Sequence, residues 1–184
     1  MSRRGFILIE DFDLSYRFTD ALWDVLPPDA LAGIRPLDYQ SCNDLRQIEL
    51  QFRNKGPYNL VKSAYSVVST RDLSGEGTSD ETDDSRWFSD VLPQDATDVY
   101  VSWFNSTRSL VALVKREVFA QFWSSFFYPF DVVNVFDDTG EWACLLGPEE
   151  GALYCVANAE QHLEQADLDD TILTAYNAPR RPQQ

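Results

Sequence analysis

The stretch DVYVSWFNSTRSLVALV, residues 98–114, decides the fold. Its first half is built of β-branched and aromatic residues, which suit a pleated, half-buried surface. Residues 109–114 repeat that character beyond a polar connection, Asn105 to Arg108. Two extended runs joined by about four turn residues predict an antiparallel hairpin.

Reading outward towards the C-terminus, residues 116–127 predict an amphipathic helix. Val118, Phe119, Phe122, Trp123 and Phe126 recur at spacings of three and four, with Glu117, Gln121, Ser124 and Ser125 mostly opposite. Tyr128-Pro129 closes it. A second hairpin is expected from 131–136 and 141–146, around Asp137-Asp138-Thr139-Gly140, where Gly140 can adopt positive φ. Residues 152–156 supply one more strand. The order strand, strand, helix, strand, strand, strand with short turns predicts an α+β fold, an antiparallel sheet of about five strands with helices packed on one face. Beyond it come a helix at 159–165, the acidic residues Asp167, Asp169 and Asp170, and a frayed tail over 177–184.

Reading towards the N-terminus gives weaker signals. Residues 6–9 suggest a short strand, bounded by Glu10, Asp11 and Asp13. A helix is expected over 19–25, capped by Thr19 or Asp20 and ended by Pro27-Pro28. Asp29 can cap a second helix through Ile34, stopped before Pro36. A third, over 43–52, shows a narrow stripe of Leu45, Ile48 and Phe52. Residues 58–70, with Val61, Tyr65, Val67 and Val68, favour extended structure. Residues 74–85 hold no apolar side chain, so 74–86 reads as a mobile acidic loop within one domain spanning 1–184.

With 184 residues, 44% of them apolar and 14% aromatic, the chain can build a real core. Thirty Asp and Glu against fifteen Lys and Arg give a formal net charge of −15. Such a surface repels nucleic-acid phosphates and anionic membranes and attracts basic proteins. Cys42, Cys144 and Cys155 are odd in number and form no C-x-x-C pair, which argues against a disulfide framework and a structural zinc site. No apolar run reaches the roughly 18 to 20 residues of a membrane span, and no secretory leader is recognisable. A cytoplasmic location is expected.

A search for catalytic residues finds little. The only histidine, His162, lies in a polar segment, a poor setting for a positioned imidazole. Gly75-x-Gly77 is followed by acids that would repel a phosphate. The Asp80 to Asp84 cluster lacks the ordered spacing of a calcium loop, so solvated charge is its default reading. Asp137-Asp138 and Glu149-Glu150 occupy turns at strand ends, where active sites can form. No cofactor or metal is expected. Phe119, Phe122, Trp123, Phe126, Phe127, Tyr128 and Phe130 form a dense aromatic group, mostly core by its spacing, with a surplus towards its end that suits an interface.

Residues 103–154 carry a resemblance. The hairpin, Phe119 with Trp123, Tyr128-Pro129, Asp138-x-Gly140-x-Trp142 and Pro148-Glu149 together resemble small acidic bacterial immunity proteins, and related families with no assigned function. The resemblance covers less than a third of the chain and rests on aromatic spacing. It implies a single cytoplasmic domain that binds and neutralises a cognate toxin. On that reading Asp80, Glu81, Asp83, Asp84, Asp137, Asp138, Glu149 and Glu150 would attract a basic protein partner, with Tyr128 and Phe130 among the aromatic anchors. Two other readings stay open: a hydrolase using Asp137, Asp138, Glu149 or Glu150, and an acidic mimic of nucleic acid.

Overall fold

The computed structural model describes residues 4–23, 25–52, 64–73, 81–105, 108–128, 131–147 and 151–158. A 3-10 turn at Ile9–Asp11 precedes α1 (Tyr16–Thr19), α2 (Pro28–Leu31) and β1 (Ile34–Pro36). Then come α3 (Tyr39–Phe52), β2 (Tyr65–Arg71) and α4 (Glu81–Val91). The C-terminal part runs β3 (Asp98–Asn105), β4 (Arg108–Lys115), α5 (Arg116–Gln121), α6 (Trp123–Phe126), β5 (Val133–Phe136), β6 (Trp142–Gly147) and β7 (Gly151–Ala157).

The fold is α+β with one antiparallel sheet. It has seven strands rather than about five, in the order β1-β4-β3-β5-β6-β7-β2. The five strands expected from residues 98–156 form its unbroken middle; the edges are β1, which was not expected, and β2, which falls in the extended structure expected over 58–70, of which residues 58–63 lie outside the described residues. β3 and β4 pair down to Asn105 opposite Arg108, so these two residues, expected in the connection, belong to the strands.

Helices cover both faces, not one. Side chains alternate across a strand, and on β3 Val99, Val101 and Trp103 face a cluster containing Phe18, Phe88, Phe119, Trp123 and Phe126. Tyr100 faces the opposite way, towards Leu45 and Phe52 of α3, with Val111 and Phe136. Every residue of β5 is buried, and β6 is nearly so, and a strand with two apolar faces needs a layer on each.

The remaining differences are local. The strand expected at 6–9 reduces to a single bridge between Phe6 and Leu37. The helix expected over 19–25 is instead α1, ending at Thr19. The second helix stops at Leu31, and Ile34 enters β1 opposite Val114. α3 starts at Tyr39, earlier than Asn43, because Asp38 accepts the Ser41 amide at 2.8 Å and caps it. The helix expected over 116–127 is broken at Phe122 into α5 and α6. Of the loop expected over 74–86, residues 81–86 form the start of α4, whose first-turn acids favour a helix N-terminus; residues 74–80 lie outside the described residues, as do the helix at 159–165, His162 and the tail.

All three cysteines are free and buried. Cys144 and Cys155 lie on neighbouring strands but face opposite sides of the sheet, Cys144 in the cluster around Phe119 and Cys155 in the cluster around Phe52. Burial pushes the Cys155 thiol up to about 11 and raises Cys144 further.

Candidate protein-interaction site

Of the carboxylates that the sequence singles out, Asp83 and Asp84 lie on α4, and Asp137 and Asp138 follow β5 in the turn that leads to β6. Asp137 serves its own turn. Its Oδ1 accepts the Thr139 amide at 3.0 Å, the Thr139 hydroxyl at 2.7 Å and the Gly140 amide at 3.0 Å. Its Oδ2 accepts the Trp142 indole N–H at 2.9 Å. Gly140 completes the turn at φ +71°, where a Cβ would also strike the Gln51 side chain. Both oxygens of Asp137 are thus engaged in joining β5 to β6, and Asp138 beside it is half-buried.

Asp84 corrects the expectation of a solvated acidic cluster. It is 1% exposed, and its Oδ1 accepts the Arg71 Nε at 2.6 Å, tying α4 to β2. Trp87 reinforces that seam by donating its indole N–H to the Ser69 hydroxyl at 3.1 Å. Asp83 is exposed and pairs one turn along with Arg86 at 3.5 Å, a surface contact of small energetic weight. Glu81 begins α4. Asp80, Glu149, Glu150 and Phe130 lie outside the described residues.

One group of residues does have the types used in catalysis. Glu49 of α3 accepts hydrogen bonds from Ser102 of β3 and, at 3.1 Å, from the Asn134 amide of β5. Asn134 also donates to the Ser102 hydroxyl at 3.2 Å. All three are 2% exposed or less, at the interface of α3 with the sheet, so no substrate reaches them there. They act as a polar peg that fixes α3 over an otherwise apolar surface. Among the described residues, no three His, Cys, Asp or Glu side chains converge as a metal-binding set.

The aromatic group resolves along the lines of its spacing. Phe119, Trp123, Phe126 and Phe127 are core, and Phe122 packs at its margin. Tyr128 differs: it is half-buried, and the Trp23 ring meets it edge to face at 4.7 Å. Trp23 in turn meets Tyr16 at 5.4 Å. Behind them sits Arg17, its guanidinium 4.5 Å from the Tyr128 ring centre and gripped by both oxygens of Asp131. Burial works against the Arg17 charge, but Asp131 and Tyr16 outweigh it and hold the guanidinium above its ordinary pKa. Asp131 Oδ2 also accepts the Tyr128 amide at 3.1 Å, which fixes the ring's backbone.

The segment that presents Trp23 is held at both ends. Asp20 accepts the Leu22 amide on its side chain and the Trp23 amide on its backbone carbonyl, both at 2.9 Å. Leu26 is buried and donates its amide to the Phe18 carbonyl at 3.0 Å. Leu22, Trp23 and Val25 are therefore held on the outside. Sequence reading placed Tyr128 among the anchors but missed Tyr16, Arg17, Leu22, Trp23 and Val25, because a helix over 19–25 would have turned part of that set inward. The available signal was Asp20, whose short side chain readily forms a turn two residues on.

Comparison with family models, with curated proteins and with solved structures finds no match to this chain.

Proposed function

We propose that this chain is a protein-binding module, an immunity-type inhibitor that binds a basic bacterial toxin or effector and occludes its active site. The observation that carries the reading is the surplus of negative charge, on a surface where several of the described arginines pair with aspartates of the same chain. The chain holds a formal −15. Arg4, Arg17, Arg35, Arg71 and Arg86 each pair with an aspartate of the same chain. Glu10, Asp11, Asp20, Asp29, Asp90, Asp95, Glu117 and Glu141 face solvent. A field of that sign accelerates encounter with a basic protein and disfavours nucleic acid.

Three buried free thiols suit a reducing compartment, which supports a cytoplasmic location. Among the described residues no helix is long and apolar enough to cross a membrane. The engagement of both Asp137 oxygens in its own turn gives that carboxylate a structural role and counts against it as a hydrolytic group and as a partner contact alike.

The test is affinity capture with the tagged full chain from its native host at low and high salt, followed by identification and rebinding of the purified partner. A basic partner whose binding weakens with salt is the expected result. An acidic partner, or no partner at either salt, overturns the proposal.

A further inference from the structure

We infer that the exposed platform of Tyr16, Leu22, Trp23 and Val25, backed by Tyr128 and Arg17, is the docking surface for an arginine-bearing segment of a basic partner protein. The inference rests on the binding function proposed above and names the surface and the chemistry it takes.

Four large apolar side chains stand in solvent within ten residues. Tyr16 is 36% exposed, Trp23 47%, Val25 63% and Leu22 89%. The other tryptophans do not resemble Trp23: Trp103, Trp123 and Trp142 are core and Trp87 is packed against it. Tryptophan, tyrosine and arginine are the types most often found to dominate binding energy at interfaces.

The platform is also built in advance. Trp23 lies edge to face with both Tyr16 and Tyr128, and its backbone is tied by Asp20 and, through Leu26, to Phe18. Tyr128 is tied to Asp131, which is gripped by Arg17. A surface that is already ordered loses little entropy when it is covered.

Charge decides the occupant. Within residues 8–23 the carboxylates are Glu10, Asp11, Asp13 and Asp20, and the one cation, Arg17, is held by Asp131. A second copy of this chain would bring the same acids against them at a formal −15 each, so self-association is opposed. A guanidinium fits both features. It stacks on the face of an indole or phenol, and its positive charge is drawn to a chain with a surplus of carboxylates.

The experiment is a calorimetric titration of the full chain with nona-arginine peptide at low salt. Wild type is compared with Trp23→Leu, which keeps apolar bulk but removes the ring, and with Leu22→Ala, whose side chain is too exposed to matter for folding. Far-ultraviolet circular dichroism confirms that each variant is folded. Binding by wild type with an affinity lowered about fivefold to tenfold in Trp23→Leu, and lowered less in Leu22→Ala, is the expected result. Equal affinities for wild type and Trp23→Leu mean that the peptide follows the diffuse field alone, and this overturns the surface while leaving the binding function standing. Failure of wild type itself to bind the peptide overturns the basic-partner reading as well.

Discussion

Replacing Asp137 by alanine separates a structural carboxylate from a functional one. The substitution removes an acceptor shared by the Thr139 amide, the Thr139 hydroxyl and the Gly140 amide, and a second acceptor for the Trp142 indole. Thr139 is exposed, so water replaces much of the first set, at a net loss of about 1 kcal/mol. Trp142 is 5% exposed. Its stranded N–H costs about 1–3 kcal/mol more. The variant should therefore lose about 2–4 kcal/mol in urea-induced unfolding followed by tryptophan fluorescence. Asp137→Asn keeps an oxygen for the turn but turns an N–H towards the indole, so it should fall between wild type and alanine. A change of less than about 0.5 kcal/mol in Asp137→Ala, the range of an ordinary surface substitution, would refute the structural assignment and return Asp137 to the set of partner-binding or catalytic candidates.

Other expectations follow from the same geometry. Asp84→Ala should lower stability by about 1–3 kcal/mol, because it leaves the Arg71 guanidinium without its partner at the seam of α4 with β2; unchanged unfolding with slowed partner association would show that Asp84 steers instead. Tyr65 donates to the Gly140 carbonyl, and burial, with Asp137 nearby, pushes its pKa up to about 12. A raised pKa means that the folded state favours the neutral phenol. Stability from this group is fully present below about 10, where an unfolded tyrosine titrates, and is lost as pH rises from there towards 12. Tyr65→Phe should remove that component of the alkaline loss, measured as the midpoint of urea unfolding against pH. Asp38 behaves in the opposite sense. Hydrogen bonds from the Ser41 amide and hydroxyl hold its carboxylate below the ordinary range, so its contribution is present near neutrality and is lost as acid protonates it; Asp38→Ala should lower helicity at neutral pH and lose that effect in acid.

How far the fold could be read in the sequence follows from where each element gets its stability. β3 and β4 carry their own pattern, strong side-chain preference on both sides of a short turn, and were legible without context. The turn at 137–140 was legible for the same reason. β1 was not: Ile34, Arg35 and Pro36 have no periodicity, and they form a strand because β4 offers them an edge. Residues 81–84 read as loop because all are polar, yet Phe88 and Leu92 further along are fully buried and anchor the helix that those acids start. The second helical layer was hidden because α3 precedes the hairpins by many residues and nothing local declares which face it covers. The near-continuous apolar runs of β5 and β6, broken in β5 only by Asn134, held the clue that both faces needed covering.

The candidate site divides in the same way. The acidic excess is a property of composition and was plain. The fate of individual carboxylates was not, since Asp84 and Asp137 look like any other loop acid until Arg71 and Trp142 are brought to them by distant elements. Trp23 lies in a run whose Leu22, Trp23 and Val25 suggest burial, and only the turn at Asp20 turns them outward.

The most direct test of the account is the association rate of the full chain with its purified native partner, measured by stopped flow across a range of salt. The expected result is a rate that falls steeply as salt rises, with Trp23→Leu leaving that rate nearly unchanged while it speeds dissociation. An association rate indifferent to salt would contradict the claim that the acidic surface recruits a basic partner.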